Sequence, residues 1–172
     1  MSLNIKDITP QLDIRYRGIY DLGGLYKMMR GWLDARRYDY MEKKYKDKVS
    51  GPFGNEVEIQ MRPELKVTEF IKFHIEVDTH MWEVKEFEAE IDGQKKQVTD
   101  GRFFIKLNCW IEFDYQDRFK TGFQKKLLEF MITKVLKRYF EIKWYDRLNY
   151  DLYNFQAEIK KFLKYETKFN AY

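Results

Sequence analysis

The chain has 172 residues, 32 of them basic and 28 acidic, for a net charge of +4, with 44% hydrophobic and 18% aromatic residues. That is enough chain for one domain, 1–172, with a substantial core. The near-balanced charge excludes the strong positive field of a dedicated nucleic-acid binder, and the 9 Gly, 3 Pro and single Cys exclude collagen-like tracts and any intrachain disulfide.

Residues 1–11 read as a flexible N-terminus. Met1–Asn4 runs into Lys6 and Asp7 without the apolar core of a secretory signal. No window approaches the roughly 18 uninterrupted apolar residues of a membrane-spanning helix. With a lone cysteine, the expected compartment is the reducing cytoplasm. Leu12, Ile14 and Tyr16 alternate with Asp13, Arg15 and Arg17, the pattern of a strand. Asp21 stands where a helix N-cap belongs, and Leu22, Leu25, Tyr26, Met29, Trp32 and Leu33 follow at helical spacing. Gly23, Gly24 and Gly31 weaken that helix by about 1 kcal/mol each relative to Ala, which suits close packing against a neighbour.

Tyr38–Val49 carries Lys43, Lys44, Lys46 and Lys48 and reads as an edge strand, where lysines discourage pairing with other chains. Ser50–Gly54 is a turn by composition. Val57, Ile59 and Met61 form a half-buried strand that Pro63 interrupts. Leu65–Trp82 is a long alternating run, with Leu65, Val67, Ile71, Phe73, Ile75, Val77 and Met81 on one face. Val84–Ile91 continues with Phe87, Ala89 and Ile91 facing in. Asp92–Gly93 suits a type I′ hairpin turn, and Asp100–Gly101 a second turn. Arg102–Tyr115 is the last strand, with Phe103, Ile105, Leu107, Cys109, Ile111 and Phe113 on the dry side and Phe104, Lys106, Asn108, Trp110, Glu112 and Asp114 on the wet side.

The segment 121–168 is helical and offers the widest apolar face. Leu128, Ile132, Val135, Tyr139 and Ile142 recur at steps of 4, 3, 4 and 3, and Tyr145, Leu148, Leu152, Phe155, Ile159 and Phe162 at 3, 4, 3, 4 and 3. The two runs are out of register, so the stripe jumps or the chain bends near Trp144–Leu148. One straight helix would reach about 70 Å, against about 33 Å for a ten-residue strand. Consecutive strands joined by turns pair antiparallel and keep one face wet. The expected fold is therefore α+β and helix-grip-like: a curved antiparallel meander packed against a long C-terminal helix, which either bends near Trp144–Leu148 or projects its second half to a partner, with one short N-terminal helix. The excess helix length leaves its second half, Tyr145, Leu152, Phe155, Ile159 and Phe162, as the candidate partner contact.

Chemistry is sparse. Ser occurs at positions 2 and 50, outside any nucleophile motif, and a thiol facing the core, as Cys109 does, is inert. No phosphate loop, dinucleotide fingerprint or HExxH motif occurs. His74, Glu76, Asp78 and His80 share one strand face and are metal-ligand types. The two histidines stand about 20 Å apart along a strand, so they cannot share an ion, and the set reads as a solvated sheet face. Carboxylate neighbours such as Glu86, Glu88 and Glu90 need a dry cleft to do acid–base work. Arg15-Tyr16-Arg17, Arg36-Arg37-Tyr38 and Lys137-Arg138-Tyr139-Phe140 interleave charge with rings as RNA binders do, although long basic side chains also cover apolar surface.

The strand, helix, meander, long-helix order over 12–165 is similar to helix-grip folds, in which a curved sheet wraps a C-terminal helix around an apolar cavity; that resemblance implies carriage of an apolar ligand. Leu25-Tyr26-Lys27 to Trp32-Leu33, Tyr38-Asp39-Tyr40 to Tyr45 and Glu158-Ile159-Lys160-Lys161-Phe162-Leu163 resemble a family of small uncharacterised archaeal proteins, which implies an archaeal source and no particular activity. Three functions are expected from these readings. The first is a non-enzymatic protein-interaction or structural module, with the C-terminal segment contacting a protein partner or a second copy. The second is a carrier with an apolar cavity lined by Phe73, Ile75, Leu107 and Ile132. The third is an RNA- or ribosome-associated factor. No catalytic residue, cofactor or metal site is expected.

Overall fold

Alternating apolar and charged residues build a curved antiparallel sheet, and helices cover its dry face in an α+β, helix-grip-like arrangement. The computed structural model describes residues 3–5, 11–40, 42–48, 55–91 and 94–164. In chain order the elements are β1 (Leu3–Ile5), β2 (Leu12–Tyr20), α1 (Leu22–Ala35), β3 (Glu42–Lys48), β4 (Asn55–Met61), β5 (Glu64–Lys66), β6 (Ile71–Ile91) and β7 (Gln94–Phe113). The helical run follows as α2 (Gly122–Phe130), a π-helical turn (Met131–Val135), α3 (Lys137–Phe140), a second π-helical turn (Glu141–Tyr145) and α4 (Asp146–Phe162).

β6 and β7 form the central pair, from Ile71 opposite Phe113 to Ile91 opposite Gln94, with one register shift between Trp82 and Lys85. β1 and β2 pair with β7 along its other edge, β5 and β4 pair with β6, and β3 pairs with β4. The lysine-rich segment is thus the outer strand it was expected to be. Several expectations need correcting. Leu3–Ile5, within the N-terminal stretch read as flexible, is a strand paired with Ile111–Phe113. The run from Leu65 to Trp82 is not one strand. It breaks between β5 and β6, where the Thr68 hydroxyl accepts hydrogen bonds from the backbone of Phe70 and Ile71 and closes a turn. Phe87 is exposed rather than facing in, and Ala89 is half-buried. Asp92–Gly93, Ser50–Gly54 and the side chain of Ile91 lie outside the described residues.

Asp100–Gly101 is not a turn but the centre of a bend. Glu83 and Val84 together oppose Gly101, a β-bulge with Glu83 at φ 59°. A Cβ at position 101 would meet the Trp82 carbonyl at 3.0 Å, so any larger residue would press on the backbone of the bulge. Gly18, at φ +139°, lies directly opposite Gly101, and β4 slips register against the same stretch of β6 between Asn55 and Val57. These irregularities fall on one line across four strands and curve the sheet around its helices.

The concave face holds the core, from Phe73, Ile75, Val77 and Met81 to Phe103, Ile105, Leu107, Cys109, Ile111 and Phe113, all buried. Asp21 caps α1 by accepting from the Gly24 amide at 2.7 Å, and Leu25, Met29, Trp32 and Leu33 turn inward. α1 crosses α4 closely: a Cβ on Gly24 would lie 2.9 Å from Phe162 Cζ, and the Trp32 and Phe155 rings lie 4.7 Å apart. Gly31 faces open space, so close packing explains Gly24 and not Gly31. Tyr38 donates its hydroxyl to Asp151 at 3.2 Å, and burial, then the Asp151 charge, pushes the phenol well above its ordinary range. After β7 the buried Asp114 carboxylate accepts from the Arg118 and Phe119 amides, turning the chain toward Thr121, whose capping box with Gln124 starts α2.

The expected register jump is located one turn before Leu148. The buried positions run Phe140, Tyr145, Leu148, Leu152, Phe155 and Ile159, and the five-residue step spans the second π turn. A π turn adds one residue without turning the face away. The prediction that Val135, Tyr139 and Ile142 face the sheet is wrong for the same reason: Ile132 and Phe140 are buried, while those three point outward.

Candidate functional site

Two surfaces carry more chemistry than the fold requires. The first is the outer side of the helical run. Phe123, Leu127, Phe130, Val135, Tyr139 and Ile142 are all exposed, Phe123 at 77% and Ile142 at 62%. Their spacing is 4, 3, 5, 4 and 3, and the step of 5 coincides with the first π turn. The extra residue that keeps the inner face on the sheet therefore also keeps the outer residues in one stripe. Met131 and Leu136 widen it, so eight large apolar side chains between Phe123 and Ile142 stand in solvent among the described residues. A helix apolar on opposite sides needs cover on both, and only one side lies on the sheet. Lys125, Lys126, Lys134, Lys137, Arg138 and Lys143 flank it, against Glu129 and Glu141.

The candidate contact residues of the second half of the segment are placed inward: Tyr145, Leu152, Phe155 and Ile159 are buried, and Phe162, 36% exposed, packs its ring beside Gly24. The spacing of both halves was regular; what spacing alone does not reveal is which half the sheet is long enough to receive. Phe73, Ile75, Leu107 and Ile132 are likewise packed in the core, and the clefts described next are not lined by them.

The second surface is the convex face of the sheet. Most of its charges neutralise one another. Arg62 holds Glu76 at 2.6 Å and Asp78 at 2.8 Å, and Lys72 meets Glu64 at 3.3 Å. Nε2 of His74 is 2.8 Å from Glu112, and its ring stacks on Trp110 at 4.9 Å. Burial holds the His74 pKa below its ordinary value even though Glu112 and Glu64 pull the other way. His80 pairs with Glu56 and stacks on Trp82 at 4.0 Å. The four-residue set on β6 is thus split, Asp78 and Glu76 going to Arg62. The metal-ligand types that do come together are His80 with Glu56 and Glu58 of β4, whose ligand atoms lie within 4.8 Å of one another. The sequence pointed to His80 but not to its β4 neighbours, because pairing register cannot be read from β6 alone.

Beside the bend, a cleft of about 490 Å³ opens between Arg15 and Arg17 of β2, Arg102 and Phe104 of β7, and Trp82 of β6. Arg17 stands directly opposite Arg102, and Arg15 opposite Phe104 with its guanidinium 5.3 Å from the ring centroid. A neighbouring cleft of about 330 Å³ continues past Phe104 to Lys106, His80 and Glu58. The basic–aromatic triplet Arg15-Tyr16-Arg17 was legible in the sequence; its convergence with Trp82 and Arg102 comes from the strand register.

Among the described residues, no helix is long and apolar enough to cross a membrane. Comparison with known proteins gives no match to a protein-family model and no match to a curated protein.

Proposed function

We propose that this protein is a non-enzymatic interaction module whose contact element is the outer stripe of the helical run from Phe123 to Ile142. The observation that carries this reading is the concentration of exposed Phe, Leu, Val, Tyr and Ile side chains on one side of a helix whose other side already serves the fold. Contiguous apolar patches of this kind mark protein contacts on otherwise polar surfaces. Five basic side chains against two acidic ones along the same segment, with Lys143 just beyond it, would set two copies repelling each other. The partner that fits is a protein with an apolar groove and an acidic rim, gripping the helix by its i, i+4, i+7 side chains. Phe73, Ile75, Leu107 and Ile132 are buried and line none of the clefts described above, which favours this reading over carriage of an apolar ligand.

Leu127→Glu with Val135→Glu tests it, together with a photoreactive phenylalanine analogue at position 130. The purified chain should be monomeric by light scattering. The double variant should keep its stability within about 0.5 kcal/mol, as exposed substitutions do, while losing the crosslinked partner formed in cells of its source. A loss above about 2 kcal/mol would assign the stripe to the chain's own core. A dimer that the variant dissociates would make the partner a second copy.

A further inference from the structure

We propose that the arginine cleft on the convex face binds a nucleotide unit, a phosphate ester beside an aromatic base. It lies on the opposite side of the sheet from the helices and stands independently of the docking stripe.

Three observations carry the proposal. The first is a local imbalance of charge. Elsewhere on this face Arg62, Lys72 and His74 each have a carboxylate partner. At the cleft Arg102 pairs with Glu83 at 2.9 Å, while Arg15 and Arg17 have no carboxylate partner among the described residues. Asp100 and Glu83 lie with Arg17 and Arg102 around an adjoining cleft of about 200 Å³ across the bend, so the positive remainder faces the larger cleft. Like charges directly opposite on neighbouring strands, as Arg17 and Arg102 are, cost stability, and a bound anion removes that cost. The second observation is the rings. Trp82 and Phe104 stand diagonally on adjacent strands of the same face, each partly exposed. Rings on a sheet surface stack bases without reading their sequence, and guanidinium groups beside them take the phosphates. The third is size, since about 490 Å³ is within the roughly 300–1,000 Å³ of small-ligand sites. The adjoining cleft past Phe104 holds Lys106 and His80 together with Glu58 and Asp78, carboxylates that oppose a second phosphate, so the site takes one unit, from either a free nucleotide or a single-stranded RNA.

The test is titration of the full chain with a fluorescein-labelled oligouridylate of about ten residues, at low and moderate salt, competed by uridine monophosphate and by inorganic phosphate. Oligomer binding whose affinity falls with salt, by a log–log slope of about −0.7 per phosphate engaged, supports the RNA source. Tryptophan quenching by the mononucleotide alone supports the free nucleotide. In either case Arg15→Ala with Arg17→Ala should weaken binding at least tenfold and flatten the salt slope by about 1 to 2. Trp82→Leu should weaken it similarly with the slope unchanged, and Trp82→Phe should restore much of it. Arg15 and Arg17 are exposed, so their removal leaves the core intact, which circular dichroism checks. The proposal is overturned if neither probe binds at low salt, if the arginine variant binds as the unaltered chain does, or if inorganic phosphate competes as well as the mononucleotide.

Discussion

His74 joins the two halves of the convex face, and its surroundings fix how it responds to acid. The ring lies flat on Trp110 and is mostly removed from water. Burial disfavours its charged form more than Glu112 and Glu64 favour it, so the folded pKa is below that of the unfolded chain. The unfolded state therefore binds more protons as the pH falls through about 6.5, and the folded state loses stability over that interval. One group can steepen the dependence by at most about 1.4 kcal/mol per pH unit. Chemical denaturation at several pH values between about 7.5 and 5.5 should show a steeper loss in the unaltered chain than in His74→Gln. An unaltered chain that gains stability over the same range relative to His74→Gln would mean that the carboxylates outweigh burial. The sequence placed His74 correctly on the polar face. It could not tell whether the face was wet, because Trp110 and Glu112 shield the ring only once β7 is in register beside β6.

Periodicity was a sound guide to elements and a poor guide to the interruptions within them. The dry row from Phe103 to Phe113 was legible because a strand has one period and one face to bury. The bend was not, because Gly101 beside Asp100 has the composition of a turn, and only the bulge at Glu83–Val84 shows what crowds that position. In the helical run, two regular patterns concealed the faces on which they lay. The mismatch near Trp144 was visible, but choosing between a bend and an extra residue requires backbone hydrogen bonds. Those bonds give a π turn at Glu141–Tyr145, with Ile142 exposed in its middle. Deleting Ile142 should close that turn into an ordinary α turn and leave Phe140 and Leu148 both facing the sheet, at a cost below about 1 kcal/mol. Deleting Tyr150, equally exposed but within regular α4, turns every later residue by about 100°. It should take Leu152, Phe155 and Ile159 out of the core, each worth about 2–5 kcal/mol. Thermal melts of the two deletions make the comparison; equal losses would remove the π turn as the device that aligns the faces.

Across the described residues, burial is distributed unevenly, and the unevenness bears on the proposed docking. β6, β7 and α4 share the central core, and Leu148, Leu152, Phe155 and Ile159 are all fully buried. α2 contributes no fully buried side chain, and between its start and α4 Ile132, Phe140 and Tyr145 are buried while Leu128 and Trp144 pack partly buried against the core. Segments with few buried apolar contacts open locally at a free energy well below that of global unfolding. Native-state hydrogen exchange should therefore show the amides of Leu148–Ile159 exchanging near the global limit, and those in the second half of α2, Lys126–Phe130, exchanging several kcal/mol sooner. The proposed interaction module would gain from this arrangement. The sheet with α1 and α4 holds the buried core, while the outer stripe sits on a segment with little burial of its own that a partner would cover. Protection of α2 rising to that of α4 in the isolated chain, at a concentration where light scattering shows a monomer, would mean that the stripe is already covered from within. The apolar side chains from Phe123 to Ile142 would then belong to the protein's own architecture rather than to a contact.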